Sequence, residues 1–303
     1  MLLHKRAPLV WTTFAFLLGM GACTGRTPPG SRTASSLQSS SGTASPTPSL
    51  AAHIARRMVD VGPYRLAAYC AGSDDPAVVF EGGTGGPHQS ADYSVVVGYM
   101  KEHGFNRACW YDRAGLGKSD PGPKGTIDAE NVATDLHALI RGLHIDPPYV
   151  LAGGSFGGLF VRVYRARFPH EVGGIMLIDA VQEDDPHVTL GPSRIRQGRA
   201  FLDVKKTLRE VKASGSLGHL PLVVITAGQS ASDPVWMEGQ RALARLSDNS
   251  EHVVAEGAWH GVTDVVPALV TKLTGELVAA ARHHGRFPPC GPNLRKLRGR
   301  CVG

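Results

Sequence analysis

Three uninterrupted apolar runs, Tyr149–Ala152, Gly174–Ile178 and Leu222–Thr226, set the tightest limit on how this chain can fold. A strand with one face in water alternates apolar and polar residues, whereas a strand covered on both faces is apolar throughout. Tyr64–Cys70, Ala77–Phe80, Arg107–Tyr111 and His252–Ala255 read as further strands, the last of these closing the set. Between them, Ile127–Leu143 carries Val132, Leu136, Leu139, Ile140 and Leu143 at helical spacing, and Val265–Ala281 reads as a closing helix. Strand–helix alternation of this kind predicts an α/β fold with a doubly wound, mostly parallel sheet. The alternation breaks between Ala180 and Leu220, so residues of about 180–220 are expected to form a small cap over the strand ends. Residues 53–281 then make one domain, and 42% hydrophobic residues in a chain of 303 suffice for its core.

The two ends have another character. The formal charge of +6 comes from Lys5, Arg6, Arg26 and Arg32 in the first 50 residues and from Arg282, Arg286, Arg295, Lys296, Arg298 and Arg300 in the tail 282–303. The other 22 Lys and Arg face all 26 acids, so the stretch 51–280 is net acidic. No aromatic-and-basic nucleic-acid motif accompanies the tail, which excludes that partner. Attraction to anionic lipid or cell-wall polymer and a purely solubilising role both stay open for it. Residues 1–23 form a basic n-region and an apolar segment too short for a membrane span, the pattern of a signal peptide. Its end, Leu18-Gly19-Met20-Gly21-Ala22-Cys23, resembles a bacterial lipobox with Met20 where Leu is usual, and implies lipidation at Cys23. The Ser/Thr/Pro/Gly stretch 24–52 reads as a disordered tether. The expected location is therefore the cell envelope, lipid-anchored to the outer face of the bacterial cytoplasmic membrane, or otherwise secreted. In an exported protein Cys70, Cys109, Cys290 and Cys301 are free to pair, with three connectivities open. Cys290 and Cys301 are close in sequence and suit a local staple.

Gly153-Gly154-Ser155-Phe156-Gly157 follows one predicted strand and opens the helical stretch Leu159–Arg167. This is G-x-S-x-G in the strand–turn–helix context of a nucleophile elbow. The turn lifts the Ser155 hydroxyl above the sheet, and glycines flank it because side chains there would collide across the bend. A serine hydroxyl needs a base to take its proton. His260, in Gly257-Ala258-Trp259-His260-Gly261 after the last predicted strand, stands where this chain order puts that base.

From about Tyr64 to Ala281 the chain resembles the α/β-hydrolase fold family, of the single-domain serine esterase/peptidase-like group. The resemblance rests on Phe80-Glu81-Gly82-Gly83-Thr84-Gly85-Gly86, Tyr111-Asp112-Arg113-Ala114-Gly115-Leu116-Gly117-Lys118-Ser119, the elbow and the His260 loop. It implies neighbouring strands for Cys70 and Cys109, hence the pairs Cys70–Cys109 and Cys290–Cys301. It implies an oxyanion hole from the backbone N–H groups of Phe156 and Gly83, with Thr84 as the alternative. Many relatives begin that loop with His-Gly, where this chain has Glu81-Gly82. Asp112 and Arg113 are implied to be a structural turn. Two positions in the fold hold the acid that orients the histidine. Asp179, at the end of Gly174–Ile178, is favoured over Asp233, which stands two places later than the usual spacing after Gly228.

These residues predict a serine hydrolase that cleaves a carboxylic ester of a small or medium organic substrate through an acyl-enzyme. No metal-ligand spacing or dinucleotide fingerprint occurs, so no metal or cofactor is expected. An iminopeptidase-like aminopeptidase or amidase is the alternative, with Glu183, Asp184 and Asp185 as a site for the substrate amine. A catalytically silent binding lipoprotein is the rival from another class.

Overall fold

A computed structural model of the chain describes residues 54–84, 92–105, 107–283 and 285–302. The predicted signal segment, Cys23 and the tether 24–52 lie outside the described residues. One sheet runs in the order β1 (Ala55–Asp60), β2 (Arg65–Gly72), β4 (Arg107–Tyr111), β3 (Val78–Glu81), β6 (Tyr149–Gly154), β7 (Val172–Ile178), β10 (Leu222–Ala227), β11 (Ser250–Ala255) and β12 (Gly299–Cys301). From β4 to β11 neighbours are parallel, whereas β1, β2 and β12 pair antiparallel. The three apolar runs occupy the centre. Each divides its side chains between two buried layers. Tyr149, Leu151, Ile175, Leu177, Leu222 and Val224 face α2 (Ala129–Gly142) and α3 (Gly157–Arg167). Val150, Ala152, Met176, Ile178, Val223 and Ile225 face α1 (Ser94–Glu102) and α8 (Pro267–His283). Cys70 stands opposite Cys109 in the β2–β4 pairing and is bonded to it, and Cys290 is bonded to Cys301.

Two expectations are corrected. His252–Ala255 does not lie in the last strand, because Gly299–Cys301 pairs with Val253–Ala255 beyond it. The tail is thereby part of the fold, with Phe287 and Leu294 buried, and the domain does not stop at residue 281. The closing helix is α8, within two residues of the predicted span at each end; the short helix α7 (Val262–Val265) precedes it, and Pro267, which supplies no N–H, starts α8.

The segment 180–220 is an insertion that rests on a loop beyond the strand ends, with Gln197 against Arg113 and Ala114, and among the described residues none of it lines the cavity at Ser155. It contributes α4 (Pro186–Thr189), β8 (Arg194–Gln197), β9 (Ala200–Asp203) and α5 (Val204–Ala213). β9 pairs with β5 (Gly125–Ile127) in a separate three-stranded sheet. α5 docks at the start of α2, where Glu210 accepts from the Ala129 and Glu130 amides and Lys206 pairs with the capping Asp128. A helix N-terminus offers unpaired N–H groups, and Glu210 satisfies two of them. This charge pairing fixes α5 against the start of α2.

His252 is buried on β11, with Nε2 2.7 Å from Thr226 Oγ1. Burial, followed by the charges of Arg241 and Arg300, pushes its pKa from 6.5 down to about 4. Between those values the unfolded chain holds a proton that the folded chain refuses, so stability present above the upper value is lost as pH falls to the lower one. The contribution is on the order of 3 kcal/mol. His252→Gln, which can keep a hydrogen bond to Thr226, is expected to flatten the pH dependence of chemical unfolding across that window. An unchanged slope in the variant contradicts this account.

Candidate active site

The elbow is a bend that few residues tolerate. Ser155 has φ +53°, in the left-handed region, between the end of β6 and the start of α3. Its amide donates to Ile178 O at 3.1 Å, and its carbonyl accepts from Gly158 N and Val181 N, both at 3.1 Å. A Cβ on Gly153 would sit 2.6 Å from Gly157 backbone atoms, and one on Gly157 would strike the carbonyl of Glu81. Glycine is required at both flanks, as the spacing of the motif predicts. The Ser155 side chain faces a cavity of about 690 Å³ that His260, Gly83, Tyr69, Trp110 and Trp259 also line. No hydrogen bond joins the Ser155 hydroxyl to His260 in this structure, and contacts of this kind tighten when substrate binds.

Asp179, at the end of β7, is completely buried and holds φ +43°. Its Oδ1 accepts from Ala227 N at 3.1 Å and Trp236 Nε1 at 2.9 Å. Its Oδ2 accepts from Ser230 Oγ and lies against His260 Nδ1, both at 2.7 Å. Burial acts to raise this carboxyl's pKa, but the hydrogen bonds from His260, Ser230 and Trp236 outweigh it and hold the pKa below the ordinary value. An ionised Asp179 fixes the His260 proton on Nδ1 and leaves Nε2 as the acceptor. Backbone strain at Ser155 and at Asp179 therefore occurs within one site.

Asp233, the alternative acid, is used otherwise. Its Oδ1 accepts from Val235 N and Trp236 N to cap α6 (Pro234–Ala244), and its Oδ2 faces His187. Ser230, which the sequence left without a role, stands two residues after Gly228 and supplies a donor to Asp179. Trp236 on α6 is a second partner that no spacing signalled.

Gly83 lies against Ser155, so close that a Cβ on it would be 2.7 Å from Ser155 Cβ. Its loop is tied down by Arg113, which reaches Glu81 Oε1, and by the hydroxyl of Tyr111 on Glu81 Oε2. Burial pushes the Glu81 carboxyl upward, against the pull of Arg113 and Tyr111. The three acids proposed for a substrate amine are engaged elsewhere. Glu183 forms a two-pronged pair with Arg162, Asp184 pairs with Lys212, and Asp185 caps α4. Among the described residues, no member of the 180–220 segment lines the cavity at Ser155.

A model described as the alpha/beta hydrolase fold matches residues 76–260 of this chain. YqjL of Bacillus subtilis (strain 168), an uncharacterized protein, is 24% identical over 212 residues, which cover 66% of this chain and 82% of YqjL. An uncharacterized vacuolar membrane protein of Saccharomyces cerevisiae is 34% identical over 111 residues, 36% of this chain and only 17% of that protein. Among solved structures, Est1E from Butyrivibrio proteoclasticus, determined with ferulic acid bound, has a TM-score of 0.58 at 19% identity and covers 75% of this chain and 99% of its own. A bromoperoxidase from Bacillus anthracis has a TM-score of 0.56 at 17% identity, covering 74% of this chain and 100% of its own. At such identities the solved structures share the fold.

The two aspartates are expected to respond differently to substitution. Asp179→Asn puts an amide among converging donors and is expected to cost about 2 kcal/mol in urea unfolding. Asp233→Asn retains a good helix cap and is expected to stay within about 0.5 kcal/mol of wild type. Equal losses at the two positions contradict the assignment of these contacts.

Proposed function

This chain belongs to the α/β-hydrolase fold family, and from that premise we propose that it is a serine hydrolase acting on a carboxylic ester of a small or medium organic substrate. The observation that carries the proposal is the 2.7 Å contact between His260 Nδ1 and Asp179 Oδ2, made by a ring that faces the same cavity as Ser155. His260 Nε2 takes the proton from Ser155 as Oγ bonds to the substrate carbonyl carbon. The backbone N–H groups of Phe156 and Gly83 hold the resulting oxyanion, each worth roughly 3–4 kcal/mol of transition-state stabilisation. His260 then gives its proton to the departing alkoxide as the carbon–oxygen bond breaks. Water repeats the cycle on the acyl-enzyme, returning Ser155 and releasing the acid. Asp179 stabilises the imidazolium that forms in each half.

Ester chemistry is favoured over aminopeptidase chemistry because Glu183, Asp184 and Asp185, the acids expected to hold a substrate amine, have partners outside the cavity. The lipobox-like ending at Cys23 supports export and lipid anchoring at the outer face of the cytoplasmic membrane, with the Ser/Thr/Pro/Gly stretch as the tether. The enzyme would then meet its substrates outside the cytoplasm.

A panel of p-nitrophenyl esters and aminoacyl-anilides tests the reading. Ester turnover is expected, falling by about 10⁴-fold or more in Ser155→Ala and in His260→Ala. Anilide cleavage without ester cleavage supports the aminopeptidase instead, and full activity in Ser155→Ala excludes the mechanism.

A further inference from the structure

Arg113 is 5% exposed, and its fork of donors is spent on one short loop. Nη1 donates to Gly82 O at 2.6 Å and to Glu81 Oε1 at 2.6 Å, and Nη2 donates to Gly83 O at 2.7 Å. Nε donates to Gln197 Oε1 at 3.0 Å, and the guanidinium lies 5.1 Å over the ring of Phe160 on α3. In a trans peptide the C=O of one residue and the N–H of the next point in opposite directions. A guanidinium that takes the carbonyls of Gly82 and Gly83 therefore turns the amides of Gly83 and Thr84 away from itself. The same loop lies against Ser155 at Gly83.

We propose that Arg113 is a positioning residue that aims and polarises the oxyanion-binding amides, with Glu81 as its buried companion and Gln197 of the insertion as its brace. The proposal rests on the serine-hydrolase reading of Ser155. Only an arginine offers a rigid planar fork that can hold two successive carbonyls and a carboxylate together; a lysine presents a single compact charge. Positive charge behind the carbonyls draws electron density along each peptide and makes the N–H ends better donors to a developing oxyanion. Glu81, buried at the start of the loop, supplies a carboxyl partner for a cation placed in the protein interior. The insertion gains a role from the same contact. Although it does not line the cavity, Gln197 at the end of β8 carries its packing through Arg113 to the loop beside Ser155.

The test compares wild type with Arg113→Lys, with the double variant Arg113→Met/Glu81→Gln and with Gln197→Met. Turnover of p-nitrophenyl acetate is normalised to Ser155 sites titrated with a fluorophosphonate, so loss of folded protein does not enter kcat. Both Arg113 variants are expected to lose about 100-fold in kcat, with KM little changed. Inhibition by a trifluoromethyl ketone is expected to weaken by the factor lost in kcat/KM, since such analogues report binding in the transition state. Gln197→Met is expected to show a smaller loss of the same kind. An Arg113 variant that folds and turns over at the wild-type rate per titrated site overturns the proposal. If neither Arg113 variant folds, unchanged kcat in Gln197→Met overturns it. Wild-type protein that neither labels nor turns over overturns the serine-hydrolase reading and this inference with it.

Discussion

The carboxylate of Asp179 has no exposure to water, and a buried charge survives only where donors replace the solvent it has lost. Here the donors come from four separate places: the amide of Ala227 at the end of β10, Ser230 in the loop beyond it, Trp236 on α6, and His260 after β11. One anion thereby holds together the carboxyl ends of the central strands and the two loops that follow them. Removing any donor loosens its neighbours, because the remaining groups were ordered by the same charge. The orientation of His260, and with it the identity of the free ring nitrogen, is a consequence of this convergence.

The sheet supplies the rest. Parallel strands end together at one edge, and ligands in open α/β sheets bind beyond the carboxyl ends of the strands. β3 ends at the Glu81–Gly83 loop, β6 at the elbow, β7 at Asp179 and β10 at Ala227. Chemical groups distant in sequence are thus gathered without any one segment having to bend far. The strain at Ser155 and Asp179 is borne by backbone hydrogen bonds to adjacent strand ends, Ser155 N to Ile178 O and Asp179 N to Ile225 O.

Much of this organisation was legible before any coordinates. Strands covered on both faces announce themselves as unbroken apolar runs, and β6, β7 and β10 fall on the predicted ones. β1 escaped notice because Arg56, Arg57 and Met58 are exposed at a sheet edge, where pairing with β2 and not burial makes the strand. β12 was hidden for a similar reason: three residues carry no pattern, and Gly299–Cys301 is held by β11 and by the bond from Cys301 to Cys290. Where the insertion docks was not legible, because Lys206 answers Asp128 from 78 residues away and such a pair leaves no local pattern. Spacing put Asp233 two places late and so favoured Asp179, but it could not show what each carboxylate touches. Their difference is one of placement, a strand end pointing at His260 against a helix cap facing solvent.

The most direct test of the central claim is a crystal structure of the protein after reaction with a small fluorophosphonate. The account predicts a phosphorus–oxygen bond to Ser155 Oγ, the phosphonyl oxygen within hydrogen-bond distance of the Phe156 and Gly83 amides, and His260 held by Asp179 with Nε2 turned toward the adduct. An adduct on another residue, or a phosphonyl oxygen directed to solvent with His260 swung away from Asp179, would contradict it.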